Sequence, residues 1–127
     1  MLFRSGPFAP KTQSGAAAAD AVVHSGVTAC LAFNDLIAIG MLQRLRERGI
    51  RVPEDMSVVG CDDIFGADFC NPPLTTMASP IEQAGRVSVS MLLAQLNPLA
   101  GGGSRSRSLM PTHLTVRGST GPVPQSL

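Results

Sequence analysis

The sequence predicts an α/β fold built on a parallel sheet, and two apolar runs and the stretch between them carry this prediction. Residues 29–33 and 57–61 are apolar enough to be buried strands, and each run stops at a polar pair, Asn34-Asp35 or Asp62-Asp63. The intervening stretch has helical periodicity, and a strand–helix–strand unit gives parallel neighbours with a right-handed crossover. Because open α/β sheets bind ligands at the carboxyl ends of their strands, the two polar pairs mark the candidate site.

The first helix is predicted over residues 14–24. This stretch is rich in alanine, the strongest helix former, and Gly26 stands where a helix commonly ends in a left-handed residue. The dozen residues before it contain Gly6, Pro7 and Pro10, which fit a strand end followed by a loop. Regular structure is therefore expected to begin near Gln13.

The second helix is predicted directly after the first polar pair. Asn34 is a favoured N-cap, and Ile37, Met41 and Leu45 recur every fourth residue along one face. Gly49 supplies the stop. The strands on either side of this helix are expected at residues 28–33 and 56–60.

The remaining elements follow an irregular stretch at residues 64–73. A short strand is expected at 74–77, and a helix at 80–96 that starts with a Ser-Pro-Ile-Glu capping box. A Gly/Ser/Arg-rich linker at 101–108 then leads to a final strand within 109–117. One helical face is expected to carry Ile81, Ala84, Ser88, Met91, Leu92 and Leu96.

Length and charge limit the class of protein. A chain of 127 residues predicts one compact unit or a piece of a larger one. The net charge of +1 provides no field that would attract DNA or an anionic membrane. Neither a membrane span nor a signal peptide is recognisable, so a soluble, cytoplasmic protein is expected.

The three cysteines predict core thiols. Cys30, Cys61 and Cys70 are odd in number and lack the spacing of a zinc site, and two of them lie in predicted strands. Reduced thiols of a cytosolic protein are the expected state.

Five segments, in this order along the chain, carry a resemblance to a known family. They are AFNDLIAIG (32–40), GIRVPEDMSVVGCDD (49–63), PPLTT (72–76), SPIEQAGR (79–86) and LMPTHLTVRGS (109–119). Together they resemble the lactose/galactose-repressor (LacI/GalR) family of bacterial transcription regulators.

The resemblance implies one parallel-sheet lobe of a type I periplasmic-binding-protein-like fold. It implies the carboxyl-terminal part of an effector-binding domain at residues 1–118, a flexible tail at 119–127, and no DNA-binding helix-turn-helix. The helix at 80–96 would be a crossover helix that packs in the amino-terminal lobe. The function implied is effector sensing in a repressor that responds to a sugar or related metabolite; the alternative is a periplasmic sugar-binding protein of a transport system.

The same resemblance makes Asn34 and Asp62 effector contacts. Their chemistry agrees, because an amide both donates and accepts while a carboxylate accepts from adjacent sugar hydroxyls. The alternatives are a plain helix N-cap for Asn34 and a strand-end turn for Asp62. Phe8 either stacks on the ligand ring or packs within the lobe.

Dimerisation in the family would use the second helix and the loop after the second polar pair. This places Ile39, Leu42, Phe69 and Cys70 at a homodimer interface, with burial in the core as the alternative. DNA would be bound only through a domain that this chain lacks.

No catalytic, cofactor or metal motif stands out. A nucleophile elbow, a P-loop, a dinucleotide fingerprint and a metal spacing are all missing, and His24 and His113 have no chemical partners nearby in sequence. The family also uses an arginine from an earlier strand, so this chain alone is expected to bind sugars weakly or not at all. An enzyme is not expected.

Overall fold

The computed structural model describes residues 4–96 and 107–124 and divides the chain into two compact units. The first unit runs to Ala78 and resumes at Leu114, and the second is Ser79–His113. The division falls just before the predicted crossover helix.

The elements follow the predicted order. The first unit contains α1 (Ser14–His24), β1 (Ala29–Leu31), α2 (Asp35–Glu47), β2 (Ser57–Asp62) and β3 (Thr75–Ala78). The second contains α3 (Ile81–Leu96), and β4 (His113–Thr115) begins at the last residue of the second unit. The four strands form one sheet in the order β1-β2-β3-β4.

The sheet confirms the parallel α/β prediction. β1 pairs with β2 in parallel with Leu31 opposite Val59, and β2 pairs with β3 in parallel with Asp62 opposite Ala78. Two strands are shorter than predicted: β1 spans three residues instead of 28–33, and β4 spans three within 109–117. The predicted linker at 101–108 lies mostly outside the described residues.

The core of the first unit forms where α1 and α2 pack together and α2 covers β2. Ile37, Met41 and Leu45 are all buried, which confirms the predicted apolar face of α2. Val58 of β2 and Leu74, just before β3, complete the same cluster. The α3 helix, taken by itself, has no buried residue.

Ser119, near the end of the described residues, is hydrogen-bonded to the sheet. Its hydroxyl donates to the Val58 carbonyl at 2.6 Å and accepts from the Thr75 amide at 2.8 Å, while the Val58 amide donates to the Ser119 carbonyl at 2.8 Å. The Thr120 and Thr75 hydroxyls are 2.9 Å apart. The predicted tail at 119–127 therefore starts too early, because Ser119 is fully buried and belongs to the first unit.

All three cysteines are free thiols and all three are partly buried. Cys30 lies in β1 against the core and Cys61 lies in β2, as predicted. In the part of the chain that the structure describes, no helix combines the length and the apolar character needed to span a membrane.

Cys30 is expected to be the slowest thiol to alkylate. Burial raises its pKa to about 11, so very little thiolate is present near neutral pH, and the thiolate is the reactive species. Timed iodoacetamide labelling at pH 7.5, followed by peptide mass spectrometry, should modify Cys61 and Cys70 first. Equal rates for Cys30 and Cys61 in the folded protein would contradict this burial.

Candidate functional site

The two residues predicted as effector contacts lie at the same edge of the sheet. Leu31 of β1 is paired with Val59 of β2, and Asn34 and Asp62 each follow three residues beyond that pair. Neighbouring parallel strands are about 4.8 Å apart. The two polar groups therefore leave adjacent strands at the carboxyl edge, as the sequence predicted.

Asn34 is the N-cap of α2. Its side-chain oxygen accepts a hydrogen bond from the Ile37 amide at 3.0 Å, and the residue is only 8% exposed. This confirms the capping interpretation, which is compatible with a ligand contact through the rest of the side chain. Because the cap uses the oxygen, the amide nitrogen keeps its two donors for another partner.

Asp62 ends β2 and is exposed, and the chain turns sharply immediately after it. Asp62 has φ 111° and Asp63 has φ 54°, both in the region that L-residues rarely adopt. Backbone of this kind persists only when surrounding contacts hold it, and it is concentrated at binding sites and turns.

Asp35 is the site residue that sequence reasoning missed. The sequence indicates an ordinary residue of the first helical turn, yet its side chain is fully buried. One carboxylate oxygen accepts from the Thr76 hydroxyl at 2.6 Å, and the other accepts from the Ile64 amide at 2.9 Å. Asp35 thus joins the start of α2, β3 and the turn after β2.

Gly60 provides the space for this carboxylate. A Cβ atom at Gly60 would collide with Oδ1 of Asp35 and would come within 2.9 Å of the Leu74 side chain. Gly60 faces Thr76 across the β2–β3 pair. Gly60, two residues before the Asp62-Asp63 pair, is thus needed for the buried position of the Asp35 carboxylate.

Arg117 holds the second aspartate of the turn. Its guanidinium donates to Asp63 at 2.7 Å and to the Leu74 carbonyl at 2.8 Å, and both side chains of the ion pair are mostly shielded from solvent. Asp63 is therefore occupied by a partner, whereas Asp62 faces outward. Of the acidic pair, Asp62 is the residue available to a ligand.

Phe8 and the predicted dimer residues occupy mixed positions. Phe8 is half-buried and packs against the core cluster, as do Ile39 and Cys70, while Leu42 is fully inside it. Phe69 is 66% exposed and makes an edge-to-face contact with Phe65, with ring centroids 5.0 Å apart. The ligand and interface roles of these residues remain predictions.

Metal ligation has no support in the described ranges, 4–96 and 107–124. These residues contain no group of three or more His, Cys, Asp or Glu side chains placed to hold an ion. The chemistry of the carboxyl edge is hydrogen bonding, with donors on Asn34 and acceptors on Asp62.

A parallel α/β sheet with polar residues at the carboxyl ends of its strands is the arrangement in which open α/β proteins bind small ligands. The chain belongs to the family of periplasmic binding protein-like domains, whose model matches residues 4–120. Its relatives are transcription regulators of the LacI type, which confirms the resemblance seen in the five segments. The family match extends past Ser119, in agreement with the burial of that residue.

Three similar proteins illustrate the relationship. The HTH-type transcriptional repressor CytR of Escherichia coli is 42% identical over 98 residues, which are 76% of this chain and 28% of the repressor. A LacI family regulator of Enterococcus faecalis with bound ribose gives a TM-score of 0.82 at 32% identity, over 91% of this chain and 42% of that one. A LacI family regulator of Arthrobacter in complex with lactose gives 0.78 at 36% identity, over 90% and 43%. The chain thus spans less than a third of the repressor and under half of each solved structure.

Proposed function

We propose that this chain is the effector-sensing part of a LacI-type transcription repressor that responds to a sugar or a related metabolite. The observation that carries the proposal is that Asn34 and Asp62 follow neighbouring parallel strands, each three residues beyond the paired residues Leu31 and Val59. Support comes from the ribose and lactose bound in two regulators with the same fold.

The hydrogen-bonding character of the edge favours a polyol. The Asn34 nitrogen donates and the Asp62 carboxylate accepts, and a sugar hydroxyl can do both in return. A charged acceptor makes stronger hydrogen bonds than a neutral one, so Asp62 is the main anchor. A ligand that lacks the hydroxyl would leave these polar groups unpaired, which gives the site its selectivity.

The proposed role is a shift between conformational states rather than chemistry. Effector binding would favour one arrangement of a two-lobed sensor, and a homodimer would transmit that change to DNA-binding segments outside this chain. We place such a regulator in the cytoplasm, where DNA is bound. The polar groups of the carboxyl edge are arranged for binding, and we propose no catalytic step, cofactor or metal.

Two further roles belong to the proposal. Phe8 would stack on the ligand ring, since an aromatic face suits the apolar face of a sugar. Phe69, exposed beside Phe65, would be the main apolar contact of the homodimer, with Ile39 and Cys70 behind it and Leu42 supporting them from the core.

A sugar titration followed by NMR tests the proposal on the chain as it is. Adding ribose or lactose at millimolar concentration to the ¹⁵N-labelled protein should shift the amide signals of Asn34, Asp62 and Asp63. Asp62→Ala should weaken the response about tenfold or more, because a charged hydrogen bond contributes about 1.5–3 kcal/mol.

The matched control is Asp68→Ala, the same substitution at an exposed aspartate a few residues further along the chain. It should leave the titration unchanged. The proposal fails if neither sugar shifts these signals. It also fails if Asp62→Ala, like the control, responds to the sugar as the unmodified chain does.

A further inference from the structure

We propose that Asp35 is a positioning residue for the effector site. Its buried carboxylate fixes the turn at Asp62 and Asp63 in the shape that presents the Asp62 side chain at the sheet edge. This inference rests on the proposed effector role of Asp62, and it adds a residue that would never touch the ligand.

The turn needs an external hold because its backbone is unfavourable. Two successive non-glycine residues, Asp62 and Asp63, have positive φ, and a relaxed chain would leave this conformation. A change in the turn conformation would move the Asp62 side chain from its place at the sheet edge. The position of the main acceptor therefore depends on whatever restrains the turn.

Asp35 restrains the turn through hydrogen bonds to its carboxylate. Its Oδ2 accepts from the amide of Ile64, two residues after Asp62, at 2.9 Å. Its Oδ1 accepts from the Thr76 hydroxyl at 2.6 Å, and that hydroxyl also lies 3.4 Å from the Asp63 amide, which donates to it. Both residues that follow Asp62 are thus tied to one buried carboxylate, directly or through Thr76.

A carboxylate fits this position better than any other group. Two donors converge on it, and only a carboxylate presents two acceptor oxygens without a donor of its own. Asp35 is also the first residue of α2, where the helix dipole favours a negative charge. The N-cap residue Asn34 precedes it, so the same helix end positions both Asn34 and, through Asp35, Asp62.

Amide hydrogen exchange of the unliganded chain tests the inference without requiring a sugar. In Asp35→Ala both acceptor oxygens are removed, so the Ile64 amide should exchange about tenfold faster or more. The reference is the Val58 amide, which donates to Ser119 in the core. The acceleration at Ile64 should exceed that at Val58.

A matched core variant separates positioning from general loss of stability. Leu45→Ala removes a fully buried side chain and should accelerate Ile64 no more than Val58. The inference is overturned if Asp35→Ala accelerates exchange at Ile64 relative to Val58 no more than Leu45→Ala does. Thr76→Val and Thr76→Ser form a second pair, in which valine should loosen the Asp63 amide and serine, which keeps the hydroxyl, should not.

The same samples keep the two proposals distinguishable. With ribose added, Asp35→Ala should reduce the shift of the Asp62 signal about tenfold at a given concentration, although Asp35 lies outside contact with the sugar. If the unmodified chain shows no response to the sugar, the proposed effector function fails. The exchange data still test whether Asp35 restrains the turn. If ribose binds equally well to both forms, the positioning role is wrong.

Discussion

Replacing Gly40 by alanine is expected to destabilise the first unit by about 2–3 kcal/mol, in the range measured for overpacked cores. The α1 and α2 helices cross at Gly15 and Gly40, and a Cβ at Gly40 would collide with the Thr12 carbonyl and lie 3.0 Å from the Gly15 Cα. The obstacle is backbone, which cannot rotate away, so the helices must separate. Thermal unfolding followed by circular dichroism should show a midpoint lowered by about 10 °C or more.

The matched control is the same substitution in another helix. Gly85 lies within α3, and a Cβ atom added there would meet no heavy atom within 4 Å beyond its own stretch of helix, so alanine finds no obstacle. Since alanine is favoured over glycine in helices by about 1 kcal/mol, Gly85→Ala should leave helicity unchanged or raise it. An equal loss of stability in Gly40→Ala and Gly85→Ala would show that the close helix crossing is not the cause.

The second helix shows what the sequence could predict and what it could not. Its boundaries and apolar face follow from an N-cap and from Ile37, Met41 and Leu45, all of which are local signals. The crossing at Gly15 and Gly40 joins two segments far apart in sequence. A glycine within a helical pattern shows only a weaker helix former, so its partner becomes visible only in the fold.

The candidate site divides in the same way. Asn34 and Asp62 were predictable because each ends a recognisable strand, and parallel strands bring their carboxyl ends to one edge. Asp35 follows an N-cap, where an acidic residue is common, so the sequence favoured an ordinary residue at the start of the helix. Its burial depends on the hydroxyl of Thr76 and the space left by Gly60, two long-range contacts without a local signature.

Ser119 was missed for a related reason. A Gly/Pro-rich end of the chain is typical of a tail, and a single serine within it gives no sign of burial. The serine instead supplies hydrogen-bond partners to the main chain of Val58 and Thr75. Composition predicts an irregular segment, but it cannot report which backbone groups of the sheet need a partner.

Gly60→Ala is expected to cost about 3–4 kcal/mol in the unmodified chain. The new methyl group collides with the Asp35 carboxylate, so the hydrogen bonds to Ile64 and Thr76 are strained or lost inside the core. In an Asp35→Ala background that carboxylate is missing, and only the tip of the Leu74 side chain has to move. The same glycine substitution should then cost about 1 kcal/mol or less.

Chemical unfolding of the four proteins in this double-mutant cycle gives the coupling between Asp35 and Gly60. We expect a coupling of about 2–3 kcal/mol, the size found for residues that share one packed space. An additive cycle, with Gly60→Ala equally costly in both backgrounds, would show that the two positions do not compete for that space. Coupling of the expected sign would show that the absence of a side chain at Gly60 makes room for the carboxylate of the neighbouring helix.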